Sequence, residues 1–258
     1  MRVFTPYEQN QLKKHNISLD KAQKYGNTPV EYICGFAEFG GHDFAVNSDV
    51  LIPRVETARI VEVAINHCST NPKQPYLIAD VGCGCGNLGI SLFLELQKRL
   101  IASQIYLSDF SEKALKKAQQ NAKRLIPKNR LANFTFLLSN LLSQYPKQPQ
   151  PPQHPQSPQF NLIIANLPYI PTSRLKNLPI SVKNYEPLTA LDGSIKGLQL
   201  IKALIKQAPN YLKENGLIIL EIDDKHKISD FAEFKNFKKE IKKDCFGRNR
   251  FLLLHRLF

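Results

Sequence analysis

From residue 77 onward, short, largely apolar runs alternate with stretches whose apolar residues recur every three or four positions. The runs at 77–81, 105–108, 134–138, 162–165 and 217–222 predict buried strands. Between them, 86–100 carries Leu88, Leu92 and Leu96 on one helical face. After Ser111, the residues Ala114, Leu115, Ala118, Ala122 and Leu125 mark a second amphipathic helix, and 198–212 predicts a third. This alternation calls for a doubly wound α/β sheet. An apolar, edge-like segment at 251–257, with little helix signal after 238, predicts an antiparallel hairpin at one edge. Upstream the pattern changes. Residues 1–28 are polar and helical in character, with Thr5 before Pro6 as an N-cap and first turn, and Ser18 as a second cap. Alternation of Tyr32, Phe36, Phe39, Phe44 and Val46 around Gly35, Gly40 and Gly41 predicts a small hairpin within 30–52. Helical spacing resumes at 55–68 with Val55, Ile60, Val61, Ala64 and Ile65. The expected organisation is a short helical segment at 1–29, a hairpin and linker at 30–54, and an α/β domain at 55–258.

One stretch fits no element. Residues 146–159 (PKQPQPPQHPQSPQ) are almost wholly Pro, Gln and Ser and cannot contribute to a core. They precede the strand at 162–165, so they enter the sheet at its N-terminal edge. Ligands of such sheets bind at the carboxyl edge. A tolerated loop insertion away from the site is the expectation.

Composition narrows the setting. No run approaches the ~20 apolar residues of a membrane span, and the N-terminus lacks the apolar core of a signal peptide. Five scattered cysteines suit reduced thiols and a cytoplasmic location. Cys83 and Cys85 lack the second pair or nearby histidine that would complete a metal site, so they read as small residues filling a tight loop. A net charge of +13 fits a polyanionic partner or an acidic protein surface, and fits solvated lysine-rich helices equally well.

The chemistry lies where apolar runs end. Asp80-Val81-Gly82-Cys83-Gly84-Cys85-Gly86 follows the first strand, and Asn166-Leu167-Pro168-Tyr169 follows the fourth. An adenosyl cofactor needs close backbone approach, which Gly82, Gly84 and Gly86 permit. It also needs a carboxylate for its ribose, and Asp109 ends the second strand where nucleotide folds keep that acid. The same residue could also serve the helix that opens at Ser111. Asp80 could orient the loop or meet the cofactor's amino group. The loop also matches G-x-G-x-x-G through Gly84, Gly86 and Gly89, which keeps a nicotinamide-dependent enzyme as a rival.

A delocalised nitrogen, as in an amide or an exocyclic ring amine, is a poor nucleophile. Binding both of its hydrogens to fixed acceptors favours a pyramidal nitrogen whose lone pair meets a methyl donor. Asn166 Oδ1 can be one acceptor and the Leu167 carbonyl the other, held because Pro168 restricts the residue before it. Tyr169 offers a face to stack on the planar group. Alignment then supplies most of the catalysis, with no metal and no covalent nucleophile.

These motifs resemble the release-factor glutamine N5-methyltransferase family, over most of residues 30–258. Leu51-Ile52-Pro53-Arg54-Val55-Glu56-Thr57 is similar to that family's element ahead of the glycine loop. Tyr185-Glu186-Pro187-Leu188-Thr189-Ala190-Leu191 is similar to its element after the catalytic turn. Gly193, Gly197 and Gly247-Arg248-Asn249-Arg250 echo its later signatures. The resemblance implies a seven-stranded class I S-adenosylmethionine-dependent methyltransferase sheet. It implies methylation of the glutamine side-chain amide in the GGQ motif of peptide-chain release factors, which would be the protein partner. It further implies that Asp80, Gly82 to Gly86, Asp109, Asn140, Leu141 and Asn166 line the cofactor, with Asn166 to Tyr169 as the catalytic turn. Leu167 replaces the family's first proline, Asn140 its acidic residue after the third strand, Leu141 a frequent aromatic, and Ala58 a usual acid. The helical part before the hairpin is shorter than the family's substrate-recognising bundle. Because N-L-P-Y also occurs in rRNA adenine N6-dimethyltransferases, an adenine N6-methyltransferase acting on RNA or DNA is the alternative. A non-catalytic RNA- or ribosome-associated protein is a further one.

Overall fold

Thr5 and Ser18 open the first two helices, as the pattern predicts. In the computed structural model, which describes residues 2–70, 72, 75–145 and 159–257, Thr5 caps α1 (Pro6–Lys14) and the Glu8 carboxylate accepts from Thr5 N at 2.7 Å. That reciprocal pair is a capping box. Ser18 caps α2 (Leu19–Gln23). A third helix, α3 (Val30–Cys34), stands where alternation predicted strand. Pro29 fixes the entry and Gly35, at φ 77°, supplies a left-handed exit, so the local turn chemistry outweighs five residues of pattern. The hairpin is therefore confined to β1 (Phe36–Phe39) and β2 (His42–Ala45), with Phe36 opposite Ala45. Phe4, Leu12, Ala22 and Val30 form a small apolar cluster among the three helices.

A single 3₁₀ turn at Val55–Thr57 leads into α4 (Ala58–Ser69), and the sheet begins with β3 (Tyr76–Val81). The chain continues through α5 (Asn87–Lys98), β4 (Ser103–Asp109), α6 (Glu112–Leu125), β5 (Phe134–Leu138) and β6 (Phe160–Ala165). It closes with α7 (Ile180–Lys183), α8 (Gln199–Gln207), β7 (Leu212–Glu221), β8 (Phe237–Lys243) and β9 (Asn249–Arg256). The seven large-sheet strands lie in the order β5-β4-β3-β6-β7-β9-β8. All pairs through β7 are parallel, and β9 and β8 add the expected antiparallel edge. Most of the Pro/Gln-rich insert falls outside the described residues; Gln159 immediately precedes β6.

Alternate residues of each central strand feed opposite faces of the sheet, which explains why the strands read as largely apolar runs. Ile78, Ile105, Leu162, Leu217 and Phe251 pack toward α4, α5 and α6. Ala79, Val81, Ile163, Ile218 and Leu252 pack on the face covered by α8. That helix is shorter than predicted. It stops at Gln207, and a 3₁₀ turn containing Pro209 hands the chain to β7 five residues before the predicted start. Among the described residues no helix is long and apolar enough to cross a membrane.

Two buried polar side chains tie these layers together. Asn121 on α6, fully buried, accepts from Ala45 N at 2.7 Å. Its Nδ2 donates to Ala45 O (3.0 Å) and to Cys85 O (2.9 Å), so one carboxamide joins hairpin, helix and glycine loop. Asp80 on β3, also fully buried, accepts from Gly89 N of α5 at 2.9 Å, while its Oδ1 has no partner among the described residues. Burial pushes its carboxyl up to about 7; the Gly89 N–H opposes the shift and the charge of Asp109 adds to it.

Replacing Asn121 by Ala removes three buried hydrogen bonds, and urea denaturation should show a loss of about 2–4 kcal/mol. A loss below about 1 kcal/mol would mean that packing alone holds the hairpin. For Asp80 the sign follows from its raised pKa. The folded state holds a proton that the unfolded state releases near its ordinary value, so stability falls as pH rises from about 4 to about 7. Asp80→Asn keeps the acceptor for Gly89 and removes the charge. At pH 8 it should exceed the wild type by roughly 2–4 kcal/mol, and the difference should vanish near pH 4. Parallel stability curves across that range would refute this.

Candidate active site

A pocket opens at the carboxyl edge, where β3, β4, β5 and β6 end side by side. Its floor comes from the four loops that follow these strands. Its roof comes from the 49–54 stretch, Thr57 and the Pro187–Ala190 region.

The glycine loop is held from below. Gly82 N and Cys83 N donate to Ser108 O at 2.8 and 2.9 Å, and Gly84 N donates to Asp109 Oδ2 at 2.9 Å. Asp109 Oδ1 accepts from Ser111 N at 2.9 Å. The carboxylate thus steadies the loop and the start of α6 together, and its remaining lone pairs stay available at the pocket wall. Burial raises its pKa against the pull of those N–H donors. A Cβ on Gly84 would meet nothing within 4 Å, so the backbone is approachable there from the pocket. Val50, Leu88, Ala114 and Leu141 supply apolar lining. Asn140 and Leu141 both reach the pocket; Asn140 is exposed, and Leu141 is buried with a φ of 54°. Cys83 and Cys85 line the pocket as neutral thiols: burial pushes Cys85 up to about 12 and Cys83 well above the usual thiol range. Among the described residues no cluster of His, Cys, Asp or Glu could hold a metal.

Asn166, Leu167 and Pro168 line the pocket beside the glycine loop, at the end of β6 next to β3. The Leu167 side chain turns inward, 5% exposed, and its Cδ2 lies where a Cβ on Gly82 would come within 2.8 Å. Its carbonyl takes no hydrogen bond from the described residues. Asn166 Nδ2 donates to Thr57 Oγ1 at 3.4 Å. Thr57 Oγ1 in turn donates to Glu221 Oε2 at 2.7 Å, and Tyr169 OH donates to Glu221 Oε1 at 2.8 Å. The turn is braced from behind by the 192–197 loop. Gly193 N donates to Ile170 O at 2.8 Å, and a Cβ on Gly197 would sit 1.9 Å from Tyr169 O, so only glycine allows this approach.

Three expected contacts lie behind the pocket wall. Asp80 is withdrawn beneath the loop, where its partner is the helix backbone. Gly86 forms the N-cap of α5 at φ 81° and faces Ile90 and Ala118. Tyr169 is not among the lining residues. Its hydroxyl is committed to Glu221 and its ring lies under Arg250, with the guanidinium carbon 5.7 Å from the centroid. The stacking face expected of it is thus occupied by the protein's own arginine on that side.

Other parts of the site rest on pairings that no local pattern shows. Arg54 and Glu186 pair at 2.6 Å, and Glu186 Oε2 also accepts from Ile52 N at 3.4 Å. This bridge clamps the two roof segments together. Burial raises the Glu186 carboxyl, an effect that Arg54 opposes. In the sequence, Thr57 closes the 51–57 element and Glu221 is a carboxylate inside an apolar run. That carboxylate was the available signal, because a strand interior rarely keeps an acid without a partner.

A family model described as Methyltransferase domain matches residues 73–251. A release factor glutamine methyltransferase of Moorella thermoacetica is 33% identical over 234 residues, covering 88% of this chain and 75% of that protein. Its counterpart from Enterococcus faecalis is 37% identical over 216 residues, covering 83% and 70%. A solved methyltransferase from Pyrococcus furiosus shares the fold, with a TM-score of 0.51 and 13% identity over 98% of this chain and 100% of that one. The chain belongs to the release factor glutamine methyltransferase family.

Proposed function

We propose that this chain transfers a methyl group from S-adenosylmethionine to the side-chain amide nitrogen of the GGQ-motif glutamine in a peptide-chain release factor. The observation that carries the reading is the Asn166 carboxamide. Its nitrogen is engaged by Thr57, which leaves Oδ1 as the end that can accept from a substrate in the pocket. The family membership supports the substrate class.

The residues present fit the cofactor. Gly84 leaves room for close approach, Asp109 retains acceptor capacity for a ribose, and Leu88, Ala114 and Leu141 offer an apolar slot beside Asn140. When bound, the sulfonium supplies an activated methyl group. Asn166 Oδ1 and the Leu167 carbonyl accept the two N–H hydrogens of the substrate amide, which turns the nitrogen lone pair toward the donor. Pro168 limits the Leu167 backbone, so that second acceptor is preorganised. Tyr169 serves the turn through Glu221. In this reading 55–258 is the catalytic domain, and the 1–29 segment and the 30–54 hairpin and linker are a short form of the recognition appendage.

The test is transfer of labelled methyl from S-adenosylmethionine to a release factor and, in parallel, to rRNA. Label should appear on the release factor and disappear when its motif glutamine is replaced. Label on RNA alone would overturn the reading in favour of an adenine acceptor. Asn166→Ala should lower kcat about 10²–10³-fold with cofactor affinity within about threefold. Wild-type turnover in that variant would sink the proposed role of the carboxamide.

A further inference from the structure

We propose that Thr57 and Glu221 form a positioning relay that fixes which end of the Asn166 carboxamide faces the substrate. The inference rests on the methyl-transfer reading above, but it concerns the turn and holds for either planar acceptor.

A carboxamide is nearly symmetric in shape and opposite in chemistry at its two ends: the oxygen accepts, the nitrogen donates. Only one orientation can capture N–H hydrogens from a substrate. Thr57 alone cannot choose between them, because a hydroxyl both donates and accepts. Glu221 makes the choice. The two hydroxyl donors and the nearby Arg250 favour the ionised carboxylate, which only accepts, so the Thr57 proton points at Glu221 Oε2, 2.7 Å away. Thr57 then has only lone pairs to offer Asn166, and Nδ2 must turn toward it, as found at 3.4 Å. Oδ1 is left for the pocket. Tyr169 closes the arrangement by donating to the second Glu221 oxygen at 2.8 Å. Thr57 is 1% exposed and Glu221 fully buried, which excludes bulk water as a substitute partner. The direction of donation therefore runs Asn166 to Thr57 to Glu221, with Tyr169 feeding the far end.

The relay reverses if Glu221 is protonated. A neutral carboxyl can donate to Thr57, whose own proton is then freed to point at Asn166 and attract Oδ1. The carboxamide would rotate and present Nδ2 to the substrate N–H groups, a donor facing donors. The charged and titratable groups facing Glu221 are Tyr169 from the catalytic turn, Arg250 from β9 and Glu56 from the 3₁₀ turn before α4. Burial raises the Glu221 carboxyl, Glu56 adds to this, and Thr57, Tyr169 and Arg250 oppose it. Turnover should therefore fall on acidification at a pH above the ordinary carboxylate range.

The experiment measures kcat and KM against pH for wild type, Thr57→Val, Thr57→Ser and Tyr169→Phe, on whichever acceptor the wild type labels. Cofactor affinity and thermal midpoint are followed alongside. Thr57→Val keeps the shape and removes the hydroxyl, so kcat should drop about 10–100-fold with KM within about threefold. Thr57→Ser should restore most of the turnover. Tyr169→Phe takes one donor from the ionised carboxylate, so the acid limb of kcat should move to higher pH while the fold is kept. This last variant decides the matter if Thr57→Val does not fold. Wild-type kcat in Thr57→Val, or an acid limb unmoved in Tyr169→Phe, would overturn the relay. Label on RNA instead of the release factor would overturn the substrate assignment and leave the relay to be read on RNA. A wild type that labels neither acceptor would remove both.

Discussion

Where parallel strands end together, the loops that leave them carry backbone N–H groups with no ladder partner, and each needs an acceptor. This chain supplies carboxylates. Asp80 takes the Gly89 N–H, Asp109 takes those of Gly84 and Ser111, and Asp223 takes that of Lys225. Glu186 reaches across from the roof to Ile52 N. The glycine loop, the start of α6 and the roof are thus held in place by the protein's own acids before any ligand arrives. Preorganisation of this kind lets a methyl-transfer site work by alignment, since little has to move when the reactants are in place.

The same constraint sorts the acids by depth. Asp109 lies at the pocket wall and combines loop support with spare acceptor capacity. Asp80 and Glu221 sit fully buried behind the wall, where desolvation raises both and a missing hydrogen-bond partner is costly. Glu221 resolves that by accepting hydrogen bonds from two hydroxyls, which tie the 166–169 turn to Thr57 and to β7. Asp80 is less well served, with one oxygen unpartnered among the described residues.

Much of this was legible in the chain. The central strands were marked because both faces of the sheet are covered, so their runs are largely apolar on both alternating sets, and Asp109 and Asn166 were marked by ending such runs. What escaped reading was decided by distance in the sequence. Thr57 and Glu221 meet across 164 residues, and Arg54 and Glu186 across 132, so no local pattern announces either pair. At short range, turn chemistry decided the misses: Gly35 ended a helix inside an apparent strand, and Pro209 stopped α8 early. The charge of +13 is likewise partly structural. Lys238, Lys239, Lys242 and Lys243 all lie on β8, one of the two outer strands, where lysines discourage pairing with another sheet edge.

Leu167 carries a consequence for how such turns are read. Its side chain is packed inward beneath the glycine loop, filling the space that Gly82 leaves by having no Cβ. In the proposed reaction what it would offer the substrate is a carbonyl, which any residue possesses. The letter at this position is therefore a record of how two loops fit together, written jointly with residue 82. It is silent on whether the nitrogen beyond it belongs to an amide or a base.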